Sequence, residues 1–260
     1  VEAPPEDSGT SSDDGTTALI GAWGNDTPDD AGAGTAYVFE RTDAGWRQAA
    51  TLAPEGAGGF GWSVELAGDG RTALVGAPAD DDPKGEDAGS AYVFERADGG
   101  TWRQQATFAA DDGDADDFFG VSVALAGETA LVGAGEDDDP YGDRSGSAYV
   151  FERADAGWAQ QAKLVADDGD PIDLFGVAVA LSRDGTTALL GARVDEDPNG
   201  EDAGSAYVFE RADGGWRQQA KLAAADGESH VFGRSVALAR DTALVGTMGT
   251  GAYVFSNSSG

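Results

Sequence analysis

Five times along its 260 residues the chain repeats one pattern: a segment close to Thr-Ala-Leu-Val-Gly, a loop, and then Tyr-Val-Phe. A chain written in one recurring unit is confined to repeat architectures, in which each unit buries its apolar face against the next. The Tyr-Val-Phe triplets begin at Tyr37, Tyr92, Tyr149, Tyr207 and Tyr253, and the segments before them are 17–22, 72–77, 129–134, 187–192 and 242–247. Two further segments recur between them. One begins with Trp (46–52, 102–108, 158–164, 216–222) and the other with Phe-Gly (60–66, 119–125, 175–181, 232–238).

Each segment reads as a short strand, so the unit is four strands and no helix is expected. Apolar residues never hold a period of 3.6 for three turns, whereas Ser90-Ala91-Tyr92-Val93-Phe94 has strand composition between Gly- and Asp-rich stretches. In that run Tyr92 and Phe94 face one way, Ala91 and Val93 the other. Apolar residues on both faces suit a sheet packed between two neighbouring sheets.

The residues Phe119-Gly120-Val121-Ser122-Val123-Ala124-Leu125, then Leu131-Val132-Gly133-Ala134, then Gly146-Ser147-Ala148-Tyr149-Val150-Phe151 resemble the FG-GAP repeat of integrin alpha chains and prokaryotic surface proteins. Leu74-Val75-Gly76-Ala77-Pro78 carries the GAP half in full. The resemblance implies an all-β fold, a β-propeller with one four-stranded blade per repeat. Five blades are expected, roughly 15–53, 60–109, 119–165, 175–223 and 232–255, in a single domain over 15–255. Residues 1–14 read as a flexible acidic lead-in and 256–260 as a tail. The first and last blades look incomplete: the first has no Phe-Gly strand and the last no Trp strand. Either the ring closes on itself, with Thr10 to Asp14 or nearby residues filling the inner gap and a last blade of three strands, or a strand from a neighbouring molecule completes it, giving self-association through the terminal blades.

The family resemblance also implies calcium, held by an Asp-rich loop between the Phe-Gly and Gly-Ala strands. Here those connections are short (Ala126-Gly127-Glu128 is one) and hold too few carboxylates. The acid lies one loop further on, in Asn25-Asp26-Thr27-Pro28-Asp29-Asp30, Asp80-Asp81-Asp82-Pro83-Lys84-Gly85-Glu86-Asp87, Asp137-Asp138-Asp139-Pro140-Tyr141-Gly142-Asp143 and Asp195-Glu196-Asp197-Pro198-Asn199-Gly200-Glu201-Asp202. Carboxylates at loop positions one and three, a carbonyl at five and Gly at six are how a calcium loop begins. The candidate ligands are Asp80, Asp82 and Asp87, then Asp137, Asp139 and Asp143, then Asp195, Asp197, Asn199 and Asp202. A solvated acidic turn is the other reading of the same residues.

The net charge of −32, from 48 acidic and 16 basic residues, excludes nucleic acid and anionic membrane surfaces as partners. The 13 Arg against 3 Lys, with so much acid, fit a prokaryotic, salt-adapted, haloarchaeal-like protein, because such self-repulsion is tolerable only when screened. In an alternating four-stranded blade the loops after strands two and four share one face. Those loops hold 30 of the 48 acids, so one face should serve cations or a cationic partner. There is no Cys and no apolar stretch long enough to span a bilayer. Opening on Val1, the chain reads as a mature or trimmed product, and two of its three Asn, Asn25 and Asn257, sit in glycosylation sequons. The expectation is therefore a non-enzymatic extracellular or cell-surface propeller for adhesion or assembly, with a protein or a glycan as partner. A carbohydrate-binding propeller is the alternative, since Trp46, Trp102, Trp158 and Trp216 recur with carboxylates. A hydrolase ranks third: around the single His230 no nucleophile stands out with both a base and an orienting group, and repeated carboxylates serve the repeat.

Overall fold

The computed structural model describes residues 8–25, 32–81, 84–138, 141–196, 200, 202–224, 231–239, 242–248 and 251–256. They form nineteen strands and no helix, arranged as the five repeated sheets of an all-β, five-bladed propeller. The first blade is β1 (Gly9–Ser11), β2 (Thr17–Ala22), β3 (Thr35–Thr42) and β4 (Gly45–Leu52). The second is β5 (Ser63–Leu66), β6 (Thr72–Ala77), β7 (Ser90–Arg96) and β8 (Trp102–Phe108). The third is β9 (Ser122–Ala126), β10 (Thr129–Ala134), β11 (Ser147–Ala154) and β12 (Gly157–Leu164). The fourth is β13 (Phe175–Leu181), β14 (Thr187–Ala192), β15 (Ser205–Ala212) and β16 (Gly215–Leu222). The fifth has three strands, β17 (Ser235–Ala239), β18 (Thr242–Gly246) and β19 (Ala252–Ser256). Each sheet keeps its strands in chain order.

Two compact units share these blades. One runs to Leu125 and includes Asp155–Trp158, the other holds Ala126–Ala154 and the chain from Ala159 onward, so the division falls inside the third repeat. The blade was expected to begin near residue 15, but β1 lies within the stretch read as lead-in. It pairs Gly9, Thr10 and Ser11 with Ile20, Leu19 and Ala18, and so takes the inner place for which the first repeat has no Phe-Gly strand. The second blade adapts to it. Glu65 stands where later repeats have Ala124, Ala180 and Ala237, and its carboxylate accepts a hydrogen bond from the Thr10 hydroxyl at 3.3 Å. Burial pushes that carboxyl up to about 7.

Consecutive blades within each unit are joined by the Phe-Gly dipeptide. Phe60, Phe119, Phe175 and Phe232 are almost wholly buried. Phe60 packs edge-on against Tyr92 and Phe94 of its own blade, with centroids 5.6 and 5.9 Å away, and Phe175 repeats this on Tyr207 and Phe209. The Phe amides donate to the preceding blade instead: Phe60 to Ala33 O, Phe119 to Ala88 O, Phe175 to Ser145 O and Phe232 to Ala203 O, at 2.9–3.0 Å. The Gly carbonyl then meets the glycine of the preceding blade's second strand. A Cβ on Gly21, Gly76 or Gly191 would stand 1.9–2.0 Å from the carbonyl oxygen of Gly61, Gly120 or Gly233. A side chain is excluded there because backbone meets backbone.

The outermost strands carry a bulge at one fixed place. Pairing slips between Val38 and Phe39, between Val93 and Phe94, and between Val208 and Phe209. An extra residue on the Trp strand sharpens the local twist of each blade.

Gly76→Ala is therefore expected to cost about 1–3 kcal/mol in chemical unfolding, the usual penalty of overpacking. Gly246→Ala should cost less, since its Cβ would meet chiefly the Ser235 hydroxyl at 2.2 Å.

Candidate functional site

In the second, third and fourth blades the acidic loop after the second strand begins with an aspartate that is folded inwards. Asn25, Asp80, Asp137 and Asp195 donate their amides to the last strand residue, Ala22, Ala77, Ala134 and Ala192, at 3.2–3.4 Å. Their carbonyls accept from Gly34, Gly89, Gly146 and Gly204 at 2.8–3.0 Å. Pinned on both sides, the side chain points back at the third strand. Asp80, Asp137 and Asp195 are buried, and each accepts a hydrogen bond from the Tyr of Tyr-Val-Phe: Tyr92, Tyr149 at 2.7 Å and Tyr207 at 3.1 Å. The Ser147 hydroxyl also donates to Asp137. Asn25 keeps the same place with the polarity reversed, its Nδ2 donating to Tyr37 Oη at 3.1 Å and to Thr35 Oγ1 at 3.3 Å.

Lysine completes this arrangement in the second unit. Lys163 Nζ lies 2.9 Å from Asp137, and Lys221 Nζ lies 2.8 Å from both Asp195 and Asp168. Each ammonium also sits over its tyrosine ring, 5.4 Å from the Tyr149 centroid and 5.3 Å from that of Tyr207. Burial opposes the charge on Lys221, but Asp168 and Asp195 outweigh it and hold its pKa above the ordinary value. Burial likewise works against ionised Asp168, and Lys221 overcomes it, leaving that carboxyl below its usual range. The Tyr207 phenol is pushed far up by burial and by the carboxylates it faces. In the second blade the residue paired with the tyrosine is Thr107 in place of lysine.

The loops after the fourth strands lie against these loops. Asp116 and Phe118 donate their amides to Glu86 O and Asp87 O at 3.0 and 3.1 Å, and Ile172 and Leu174 to Asp143 O and Arg144 O at 2.8 and 3.2 Å. Both acidic loop sets thus share a side within each unit. Each second set buries a carboxylate of its own. Asp117 and Asp173 accept the amides of Asp114 and Asp170 at 2.7 Å and are 4 % and 3 % exposed. Burial first, and Asp195 next to it, push the Asp173 carboxyl up to about 6.

The candidate ligands thus separate by position. Position one is inside the fold. Asp82, Asp139, Asp197 and Asn199, and the sequon residue Asn257, lie outside the described residues. At the far end, Asp143 and Asp202 are exposed and Asp87 is partly buried. Burial raises the Asp87 pKa, and the neighbouring Asp81, Asp116 and Glu86 add to it. Position two, which sequence spacing overlooks, closes the loop from within: Asp81 Oδ1 accepts the amide of Asp87 at 3.0 Å, and Asp138 Oδ1 that of Arg144 at 2.8 Å. Among the described residues no three carboxylates or imidazoles gather as a metal ion requires. In repeats three and four the positive charge beside the first carboxylate comes from lysine, so those carboxylates do not fit a calcium cage. The signal for the missed partners was present as spacing: tyrosine follows the first acid by twelve residues in repeats two to four, and lysine by twenty-six in repeats three and four.

Away from these loops, Glu40 pairs with Arg47 and with Arg96 of the next blade. Glu152 pairs in the same way with Arg211 at 2.8 Å. A groove of about 730 Å³ in the first unit is lined by Glu40, Arg47, Thr51, Arg96 and Trp102. Of the four recurring Trp residues, Trp46 is the exposed one, at 51 %.

Two substitutions separate the contributions. Lys221→Thr leaves a buried carboxylate without its ammonium and should lower unfolding stability by about 3 kcal/mol. Asp173→Asn keeps the acceptor for Asp170 and removes the charge. Because the folded pKa of Asp173 is raised, its stability contribution is greatest below roughly pH 4, where folded and unfolded chains are both protonated, and is lost as pH rises through about 6. The Asn variant should therefore melt above wild type at pH 7, with the difference vanishing towards pH 4.

The FG-GAP repeat family matches the chain over residues 46–94, 102–151, 158–209 and 216–260. Each matched unit starts at a Trp strand and ends after Tyr-Val-Phe, so it takes the outer strand of one blade and three strands of the next. No curated protein matches the chain. With most of its length covered by four such units in register, the chain belongs to the FG-GAP repeat family.

Proposed function

We propose that this protein is a non-enzymatic binding propeller, exported and displayed at the surface of a salt-adapted prokaryotic cell, where its acidic loop side engages a cationic protein partner in adhesion or assembly. One observation carries the reading: the first acid of the second, third and fourth loops is consumed inside the fold, while Asp143, Asp202 and much of Asp87 stay at the surface of loops that hydrogen bonds have fixed. Pre-fixed loops lose little freedom on binding, and a concentrated field of one sign speeds and orients encounter with an oppositely charged surface. No helix among the described residues is long and apolar enough to cross a membrane. Glycosylation at Asn257 belongs to the same reading, and so does glycosylation at Asn25, where it would replace one of the two hydrogen bonds Nδ2 donates to Tyr37 and Thr35.

Calcium enters it through the second repeat's loop. There Asp81, Asp116 and Glu86 repel the Asp87 carboxylate, and Thr107 stands where repeats three and four carry lysine. Removing calcium with a chelator should lower the thermal midpoint, and Asp87→Asn should shrink that shift; an unchanged midpoint removes calcium from the reading. The binding role is tested in the producing cells. Protease shaving of intact cells should release the protein, and replacing Asp87, Asp143 and Asp202 by Asn should reduce attachment. A protein found only inside the cell, or attachment unaffected by the triple variant, overturns it.

A carbohydrate-binding reading rests on the groove of Glu40, Arg47, Arg96 and Trp102, where charged hydrogen-bonding groups stand beside an indole of which 9 % is exposed. Binding on a glycan array that is lost in Trp102→Ala would favour it over the protein partner.

A further inference from the structure

Two charged positions of the acidic loops turn apolar in the third repeat. Aligned loop by loop, Tyr141 stands where the second repeat has Lys84, and Ile172 where it has Asp116. Both are exposed, at 37 % and 48 %. The loops that carry them, one after β10 and one after β12, are fastened to each other. Ile172 donates its amide to Asp143 O at 2.8 Å, and Leu174 to Arg144 O at 3.2 Å. A Cβ on Gly169 would stand 2.7 Å from the Tyr141 ring, and one on Gly142 would stand 3.4 Å from Pro171. Each glycine makes room for the apolar group opposite.

Ile172 is a poor choice for its own loop. Its φ is +74°, a left-handed conformation that Asp and Asn tolerate and that is strained for a β-branched side chain. Asp116 takes the same conformation in the preceding repeat, at φ +67°. Leu174 is also left-handed, at φ +57°, but is 4 % exposed, so burial offsets its strain. Ile172 keeps 48 % of its surface in water, and the stability of the fold does not account for it.

Exposed acid surrounds the pair: Asp138 and Asp143 in one loop, Asp167, Asp168 and Asp170 in the other. Arg144, the only basic residue of the two loops, pairs with Glu136 at 3.1 Å. A partner that covers Tyr141 and Ile172 must therefore bury apolar surface at the centre and set positive charge around it. In molar salt, where charges are screened beyond about 3 Å, attraction between charges falls away and apolar contact supplies the hold.

We propose that Tyr141 and Ile172 are the anchor of the acidic side, and that they hold a protein segment whose apolar side chains are flanked by Lys or Arg. This rests on the reading of the acidic loops as the binding side and names its point of contact. A sugar would stack on Tyr141 but find no hydrogen bond on Ile172.

Fluorescence anisotropy with the full chain and two labelled peptides of equal Lys content, one with Leu between the lysines and one with Ser, tests this. At molar salt wild type should bind the Leu peptide and not the Ser peptide. Ile172→Asn and Tyr141→Ser should each weaken that binding about tenfold, as loss of a central anchor does. The melting midpoint of Ile172→Asn should stay level or rise, since asparagine suits a left-handed backbone. A lower midpoint would show that Ile172 serves the fold and would overturn the inference. So would a wild type that fails to bind the Leu peptide or binds both peptides alike, binding that survives both substitutions, or glycan-array binding that Tyr141→Ser abolishes. The underlying reading has its own readout at low salt, where replacing Asp87, Asp143 and Asp202 by Asn should weaken binding of the Ser peptide. If it does so while Ile172→Asn leaves the Leu peptide unchanged, the anchor falls and the acidic side stands. If the triple variant binds the Ser peptide as wild type does, both fall.

Discussion

Everything in this fold hangs on the way a Phe-Gly dipeptide belongs to two blades at once. Its ring packs on the Tyr and Phe of the blade it opens, while its amide and the carbonyl of its glycine reach the blade before it. The aromatic contact supplies apolar burial, which is non-directional. The backbone contact supplies direction, since a hydrogen bond and a glycine-to-carbonyl approach each admit one register. Within each unit, successive sheets can therefore neither slide nor rotate without losing both. The glycine of each second strand is the complement of this wedge, which is why it recurs even in the fifth blade. There the nearest atoms a Cβ would meet belong to Ser235 of the same blade.

The acid of this chain does two kinds of work, and the same loop contains both. The first carboxylate of the second, third and fourth loops is removed from water, where an isolated charge would be costly. Tyrosine hydroxyls and, in two blades, lysine make its burial tolerable. Such a group fixes the loop's exit from the strand and contributes to geometry more than to net stability, because the desolvation of both partners offsets their attraction. The carboxylates further along, Asp143 and Asp202 exposed and Asp87 partly so, lie towards solvent. Position two mediates between these roles by closing the loop across its own backbone, so the outer acids are presented on a frame.

Much of this was legible in the sequence. Periodic Tyr-Val-Phe and Phe-Gly segments gave the strands, their order and the five blades, because repetition averages over local ambiguity. The missing Trp strand of the last repeat was visible as a count. The inward turn of Asp80, Asp137 and Asp195 was not, because a metal ligand and a buried hydrogen-bond acceptor are the same residue until the facing strand is placed. Counting to that strand is hindered by the bulge, which adds a residue between Tyr-Val-Phe and its partners, and by the second blade's longer turn, which shifts Thr107 one place relative to Lys221. The short β1 was legible as a gap that residues near Thr10 could fill, but not as a strand. Gly9-Thr10-Ser11 has no strand signature, and its pairing is dictated by the exposed inner edge of β2 and by Glu65 across from it.

Lysine placement shows how strongly the buried acids constrain composition. The chain has three Lys among 48 acidic residues, and two of them, Lys163 and Lys221, stand at one register position beside an aspartate and a tyrosine ring. The many arginines lie elsewhere, several in ion pairs such as Arg211 with Glu152 and Arg71 with Asp98, where a planar fork meets an accessible carboxylate. In the confined space over the tyrosine ring the requirement differs. A compact ammonium with three rotatable donors reaches Asp168 and Asp195 together, whereas a guanidinium would have to align its plane with both. A surface that discards lysine almost everywhere but retains it there identifies the internal charge balance, and not solvation, as what selects the residue at that position.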